Sequence, residues 1–360
     1  MEIEKRVNRI LEKYDICDTC LGRQFHSLYP NKSNREIGEF LKSKFPEYKK
    51  RGQCYLCNDI FENLDSYIRR IERKLKEYEF NSFLIGSEFS GELISKEEKF
   101  WEEQGVDFCE AIKSNFNREI GIKLKNSLGK KIDFENPDLM IIIKVGENKI
   151  KLQISPLYVE GGYKKILPRR EIQKIIERAF LRKSMAKKVI FYSVGRLEKK
   201  VITSCYRPFL LKLKSPVKRR LNLKEIEEKI NQNKSIKIGK LKYSGKEKID
   251  DFKKKFLISY SIVLEFKDLR EKNRKQMDRE LSNLKNRRIY QNLKGKVRRP
   301  KINKVRVRWK RKKLILFLQT TEEFSITDFI DKSKPNLKNI IGEKFKVKEI
   351  CIRNYKKLRK

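Results

Sequence analysis

The chain has 360 residues, 90 of them Lys or Arg against 48 Asp or Glu, for a formal net charge of +42, and a surface of that sign seeks a polyanion. With 38% hydrophobic and 10% aromatic residues, it can bury two or three separate cores, which excludes disorder as its basic plan. The longest purely apolar runs, Leu139 to Ile143 and Leu314 to Leu318, fall far below the ~18 residues of a membrane span, so no transmembrane helix is expected.

The first residues, MEIEKRVNRI, read as an amphipathic helix with none of the apolar core of a secretory signal. A cytoplasmic protein is expected. The charge is unevenly placed. Residues 1–165 carry 30 basic and 28 acidic side chains, a net of +2, whereas residues 166–360 carry 60 and 20, a net of +40. A lysine bias of the whole genome would charge both halves alike, so the second half reads as a surface that neutralises phosphates and releases their counterions. RNA and DNA are not distinguished by this argument.

Four of the seven cysteines form two C-x-x-C knuckles, Cys17/Cys20 and Cys54/Cys57. Thiolates three positions apart on a tight turn take adjacent corners of a tetrahedron, and a second knuckle completes it, so the spacing predicts a closed, structural zinc site. A disulfide pair is disfavoured in a reducing cell, and a redox C-x-x-C would not occur in duplicate. Cys109, Cys205 and Cys351 are isolated and read as small core residues. His26, the one histidine, reads as a packing or surface residue. Helical spacing follows at Asn34 to Phe45 and at Asn63 to Tyr78. The pattern then changes to short strands at Phe83 to Ile85, Leu139 to Lys144 and Lys149 to Ser155, with a helix around Phe108 to Leu124. The resulting fold class is α+β.

The runs CDTCLGRQFHSL from Cys17, CYLCNDIFENL from Cys54, FNREIG from Phe116, NPDL from Asn136 and SPLYVEGGYKK from Ser155 resemble the N-terminal half of the archaeal-type tRNA pseudouridine synthases that modify uridines 54 and 55 of the TΨC loop. The resemblance implies a zinc-bearing THUMP-type RNA-binding domain and a tRNA partner. Further along, a helix is expected over Arg169 to Ser184 and a strand over Val189 to Tyr192. There follow Gly195 and Arg196, then Arg207-Pro208-Phe209 and a strand to Leu213. This layout resembles the central motif of the same family, where Gly-Arg precedes an acidic run whose aspartate attacks the uridine. Here Leu197, Glu198, Lys199 and Lys200 occupy that run, and no Asp occurs between Asp138 and Asp250.

The resemblance implies isomerisation without an organic cofactor, with Glu198 as the sole carboxylate of the loop and Arg196 keeping it ionised. Tyr260, in the strand Ile258 to Val263, matches the family's tyrosine that packs on the target base, although Tyr among β-branched residues marks any half-buried strand. Phe324 or Ser325 stands where the family has a second tyrosine. Alternation from Lys304 to Lys310 puts Lys304, Arg306, Arg308 and Lys310 on one strand face, able to follow a phosphate backbone. Tyr290 or Trp309 could stack on a base, or Trp309 could pack in the core. Arg207 and this basic face are the expected substrate contacts.

Other chemistries lack their signatures. No G-x-G or P-loop run is present for a methylase or a thiouridine synthetase, and His26 is followed by Ser27-Leu28 rather than the H-x-E of a zinc deaminase. The sequence thus divides into a four-cysteine region (1–62), a THUMP-type domain (63–165) and a pseudouridine-synthase-like domain (166–360). Its expected function is tRNA pseudouridine synthesis in the TΨC loop. The alternative is a non-catalytic tRNA-binding or RNA-folding protein descended from that enzyme, because the nucleophilic Asp is missing. Protein partners are not legible.

Overall fold

A computed structural model describes residues 2–49, 52–147, 149–167, 171–196, 198–253, 256–267, 271–293 and 295–357. Arg169, where the sequence starts a helix, and Leu197 of the Gly195–Lys200 loop lie outside the described residues. The chain divides into two units, Met1–Ser155 and Pro156–Lys360.

In the first unit, helix Glu2–Lys13 buries Val7, Ile10 and Leu11 along one face. Helix Asn34–Lys42 starts at a reciprocal cap, with the Glu36 amide donating to Ser33 Oγ at 3.3 Å and the Ser33 amide to Glu36 Oε2 at 2.7 Å. It crosses the short helix Asp18–Gly22 so tightly that a Cβ on Gly22 would lie 1.7 Å from the Asn34 carbonyl oxygen. Only glycine fits there. Helices Leu64–Leu75, Gly91–Gln104 and Ile112–Leu128 accompany a four-stranded sheet. In that sheet, strand Ser82–Glu88 runs parallel to both Lys131–Ile132 and Leu139–Lys144, and Leu139–Lys144 pairs antiparallel with Lys149–Ile154. Parallel pairing requires a crossover, which the intervening helices supply.

The second unit contains two larger sheets. The first is antiparallel, in the order Lys188–Ser193, Arg207–Lys214, Leu157–Lys165, Ile236–Ser244. Strand Leu157–Lys165, placed by sequence at the end of the first half, is thus central to a sheet of the second unit. Val159, Tyr163, Phe209 and Leu211 from this sheet share a core with Ile172, Ile176 and Phe180 of helix Ile172–Ser184. The second sheet is ordered Ile302–Lys310, Lys313–Thr321, Phe256–Phe266, Phe345–Lys357, Ile202–Thr203. Its last strand is two residues long and pairs parallel with Cys351 and Ile352. The loop after Ser193 therefore leaves one sheet and joins the edge of the other, and Gly195 to Lys200 lie on it. The mixture of helices and sheets is the expected α+β class. No helix among the described residues is long and apolar enough to cross a membrane.

Candidate active site and metal centre

The two knuckles meet in the first unit. Cys17 precedes helix Asp18–Gly22, and its sulfur accepts the Cys20 amide at 3.4 Å, while Cys54 Sγ accepts the Cys17 amide at 3.3 Å. The turn after Cys57 places Asn58 and Asp59 at φ 47° and 58°, and Asp59 Oδ1 accepts the Cys54 amide at 2.9 Å. The four buried sulfurs lie within 4.8 Å of one another, with Cys17 and Cys57 3.7 Å apart. A tetrahedron with metal–sulfur bonds of ~2.3 Å has edges of about 3.8 Å, so the donor set fits a closed four-thiolate site. His26 takes no part and donates from Nδ1 to Asn34 Oδ1 at 2.8 Å.

In the second unit, the loop after Ser193 turns at Gly195, whose φ is +65° and whose Cβ would meet Ile258 Cδ1 at 2.4 Å. This is a left-handed position suited to glycine. Its carbonyl accepts Arg207 Nη2 at 2.7 Å. Arg207 is 3% exposed and lies between the rings of Tyr163 and Tyr355, each 5.9 Å from its guanidinium carbon. Beyond Gly195 the Glu198 carboxylate turns inward, and its oxygens accept the amides of Ile326 at 3.1 Å and Thr327 at 3.0 Å. These amides open helix Ile326–Asp331. Burial raises the Glu198 carboxyl above the usual carboxylate range, while the Thr327 and Ile326 donors and the Arg196 charge oppose that rise.

A cavity of about 260 Å³ lies under the loop, lined among others by Tyr163, Lys165, Glu198, Thr203 and Arg207. Lys165 Nζ reaches up to the carbonyl oxygens of Glu198 at 2.9 Å and Lys199 at 2.6 Å. Burial and then the neighbouring Arg207 charge pull its ammonium down from 10.5 to about 8, against the pull of Glu198. The unfolded chain therefore holds more protons than the folded one between these values, so the folded state is disfavoured below about pH 8 and relieved as pH rises towards 10.5. Relative to Lys165→Met, the wild type should gain stability from pH 8 to 10 in denaturant titrations. A difference between the two that does not change with pH would contradict this.

The expected residues separate into two places. Glu198, Arg196 and Arg207 all lie within electrostatic reach of Tyr260. Tyr260 is 3% exposed, packs on Phe324 at 6.0 Å and sits beside a register shift in its pairing with Phe345–Lys357. Burial raises its hydroxyl pKa above the ordinary value. Lys304, Arg306 and Arg308 form an exposed row on strand Ile302–Lys310, and none of them lines the cavity beneath Glu198. Trp309 packs inward, donating Nε1 to Asp278 Oδ1 at 2.9 Å, whereas Tyr290 is 48% exposed. Ser325 is buried and caps helix Ile326–Asp331, and Phe324 beside it is buried too. Lys200 is exposed.

Sequence reasoning missed Lys165, Thr203, Tyr163 and Tyr355. The one signal among them is Lys165, the last residue of strand Leu157–Lys165, and its meaning depends on which loop lies above it.

The chain matches the family described as "Pus10 THUMP domain, archaeal" over residues 67–144 and that described as "Pus10, C-terminal" over residues 149–354. It is 32% identical over 323 residues to a tRNA pseudouridine synthase Pus10 of Pyrococcus furiosus, covering 85% of this chain and 82% of that one. It is 28% identical over 302 residues to the protein of the same name from Methanothermobacter marburgensis, covering 73% and 75%. Among solved structures, a Cbf5–Nop10–Gar1 complex overlaps 54% of this chain and 48% of that chain, with 11% identity and a TM-score of 0.31.

Proposed function

Because the chain belongs to the Pus10 family, we propose that it is a tRNA pseudouridine synthase acting on uridines 54 and 55 of the TΨC loop. The observation that carries this reading is the pair of family matches running from residue 67 to residue 354. In the reaction the C1′–N1 bond of uridine breaks, the uracil turns, a C1′–C5 bond forms, and the proton on C5 is exchanged for one on N1. Glu198 is the carboxylate beside the ribose, Arg196 favours its ionised form, and Arg207 positions the loop through the Gly195 carbonyl. Tyr260 supports the base, and the row Lys304, Arg306 and Arg308 tracks tRNA phosphates.

Cys17, Cys20, Cys54 and Cys57 hold zinc, which a four-thiolate set favours. With no open coordination position the ion supplies folding energy and no chemistry. All seven cysteines are outside disulfides, which suits a reducing cytoplasm.

The test is incubation with an unmodified tRNA transcript followed by chemical mapping of pseudouridine. Product at positions 54 or 55 is expected. A second reading, a tRNA-binding protein without turnover, rests on the engagement of both Glu198 oxygens by backbone amides. It requires full tRNA affinity with no pseudouridine formed, the result that would overturn the first.

A further inference from the structure

Arg23 is among the largest wholly buried side chains of the protein, at 0% exposure. It stands three residues after Cys20, and the helical backbone from Asp18 through Arg23 keeps the two on one face. One edge of its guanidinium is occupied: Nη1 donates to Glu97 Oε1 and, at 3.1 Å, to the Glu110 carbonyl. Glu97 is itself 4% exposed, and its Oε1 also accepts the Ile112 amide at 2.9 Å. The other edge, Nε and Nη2, has no hydrogen-bond partner. Buried donors of a charged group are seldom left unmade. The Cys20 sulfur lies within electrostatic reach of the guanidinium.

A dication bound by four thiolates carries a net charge of −2, and its sulfurs are acceptors that a neutral thiol is not. We propose that Arg23 donates its free edge to the metal-bound thiolate of Cys20, so that Glu97, Arg23 and Cys20 form a carboxylate–guanidinium–thiolate relay that retains the metal. The relay rests on the zinc reading above. It parallels the carboxylate that orients a metal-bound histidine, where the outer partner is worth 10- to 100-fold in metal affinity. Arg23 also ties Cys20 to helix Gly91–Gln104 through Glu97, so the metal would join the knuckles to the rest of the unit.

The test compares the zinc-loaded full chain with Arg23→Met/Glu97→Gln, which removes the buried charge pair without orphaning either partner, and with Glu97→Gln alone. Zinc loss to a chromophoric chelator should be faster by about 10-fold or more in the double variant. In Glu97→Gln, which keeps Arg23 and one acceptor oxygen for it, the rate should fall between those of the wild type and the double variant. Equal retention in the double variant and the wild type overturns the relay alone, whereas a wild type purified without metal overturns the zinc reading with it. Should the double variant fail to fold, the cadmium-loaded wild type decides. A coupling from ¹¹³Cd through the Cys20 sulfur to an Arg23 guanidinium proton is expected, and its absence overturns the relay.

Discussion

Replacing Cys17 and Cys54 together by serine should unfold the unit Met1–Ser155 while leaving Pro156–Lys360 folded. The knuckles belong to a core that includes Val7, Ile10, Phe25, Leu41, Leu56 and Ile71, so losing the metal opens the centre of the unit and not its rim. Apparent binding energies of structural zinc sites, ~10–16 kcal/mol, match or exceed the ~5–15 kcal/mol by which whole domains are stable. Hydrogen exchange on the full chain checks this. Amide protection should vanish from helix Asn34–Lys42 and persist in strand Phe256–Phe266. Unchanged protection in the variant, with no zinc in the purified wild type, would remove the metal from the account.

Glu198→Gln should abolish pseudouridine formation and also destabilise the second unit. The carboxylate accepts two backbone amides at the start of helix Ile326–Asp331 and faces the positive charges of Arg196, Arg207 and Lys165. A glutamine keeps one acceptor oxygen for the two amides, so one donor is left unmade at a cost of ~1–3 kcal/mol, and loss of the charge does not add to this because burial already raises the Glu198 carboxyl. Because Glu198 is only partly buried, the lower end applies. Turnover and thermal stability are measured alongside tRNA affinity. Unaltered affinity with lost turnover assigns Glu198 to the reaction, whereas full turnover in the variant would remove it from the chemistry.

Much of the architecture was legible because periodicity reports burial directly. Strand Leu139–Lys144 falls where its apolar run puts it, the knuckles meet as their spacing predicts, and the basic face of Ile302–Lys310 follows its alternation. Helix ends were less legible where side chains claim the backbone. The helix expected from Phe108 begins at Ile112, because Glu110 donates its amide to the Arg23 carbonyl at 2.8 Å and spends its carboxylate on Arg118 and Asn34. Helix Gly91–Gln104 was passed over. Its buried face includes Glu97 and Gln104 beside Leu93 and Phe100, so polar residues interrupt the apolar stripe. In the site, the motif residues Arg196, Glu198 and Arg207 were legible as a group. The floor beneath them was not, since Lys165 and Thr203 reach the loop through sheet pairings that no local pattern encodes.

Strand Ile302–Lys310 is the outermost strand of its sheet among the described residues, with a partner on one side only. Such a strand offers a row of unpaired amides and carbonyls to any other extended chain. Lys304, Arg306, Arg308 and Lys310 stand exposed along that rim. In two copies brought edge to edge, like charges would face one another. The cations proposed to follow a phosphate backbone would thus also oppose edge-to-edge pairing of two copies along this strand.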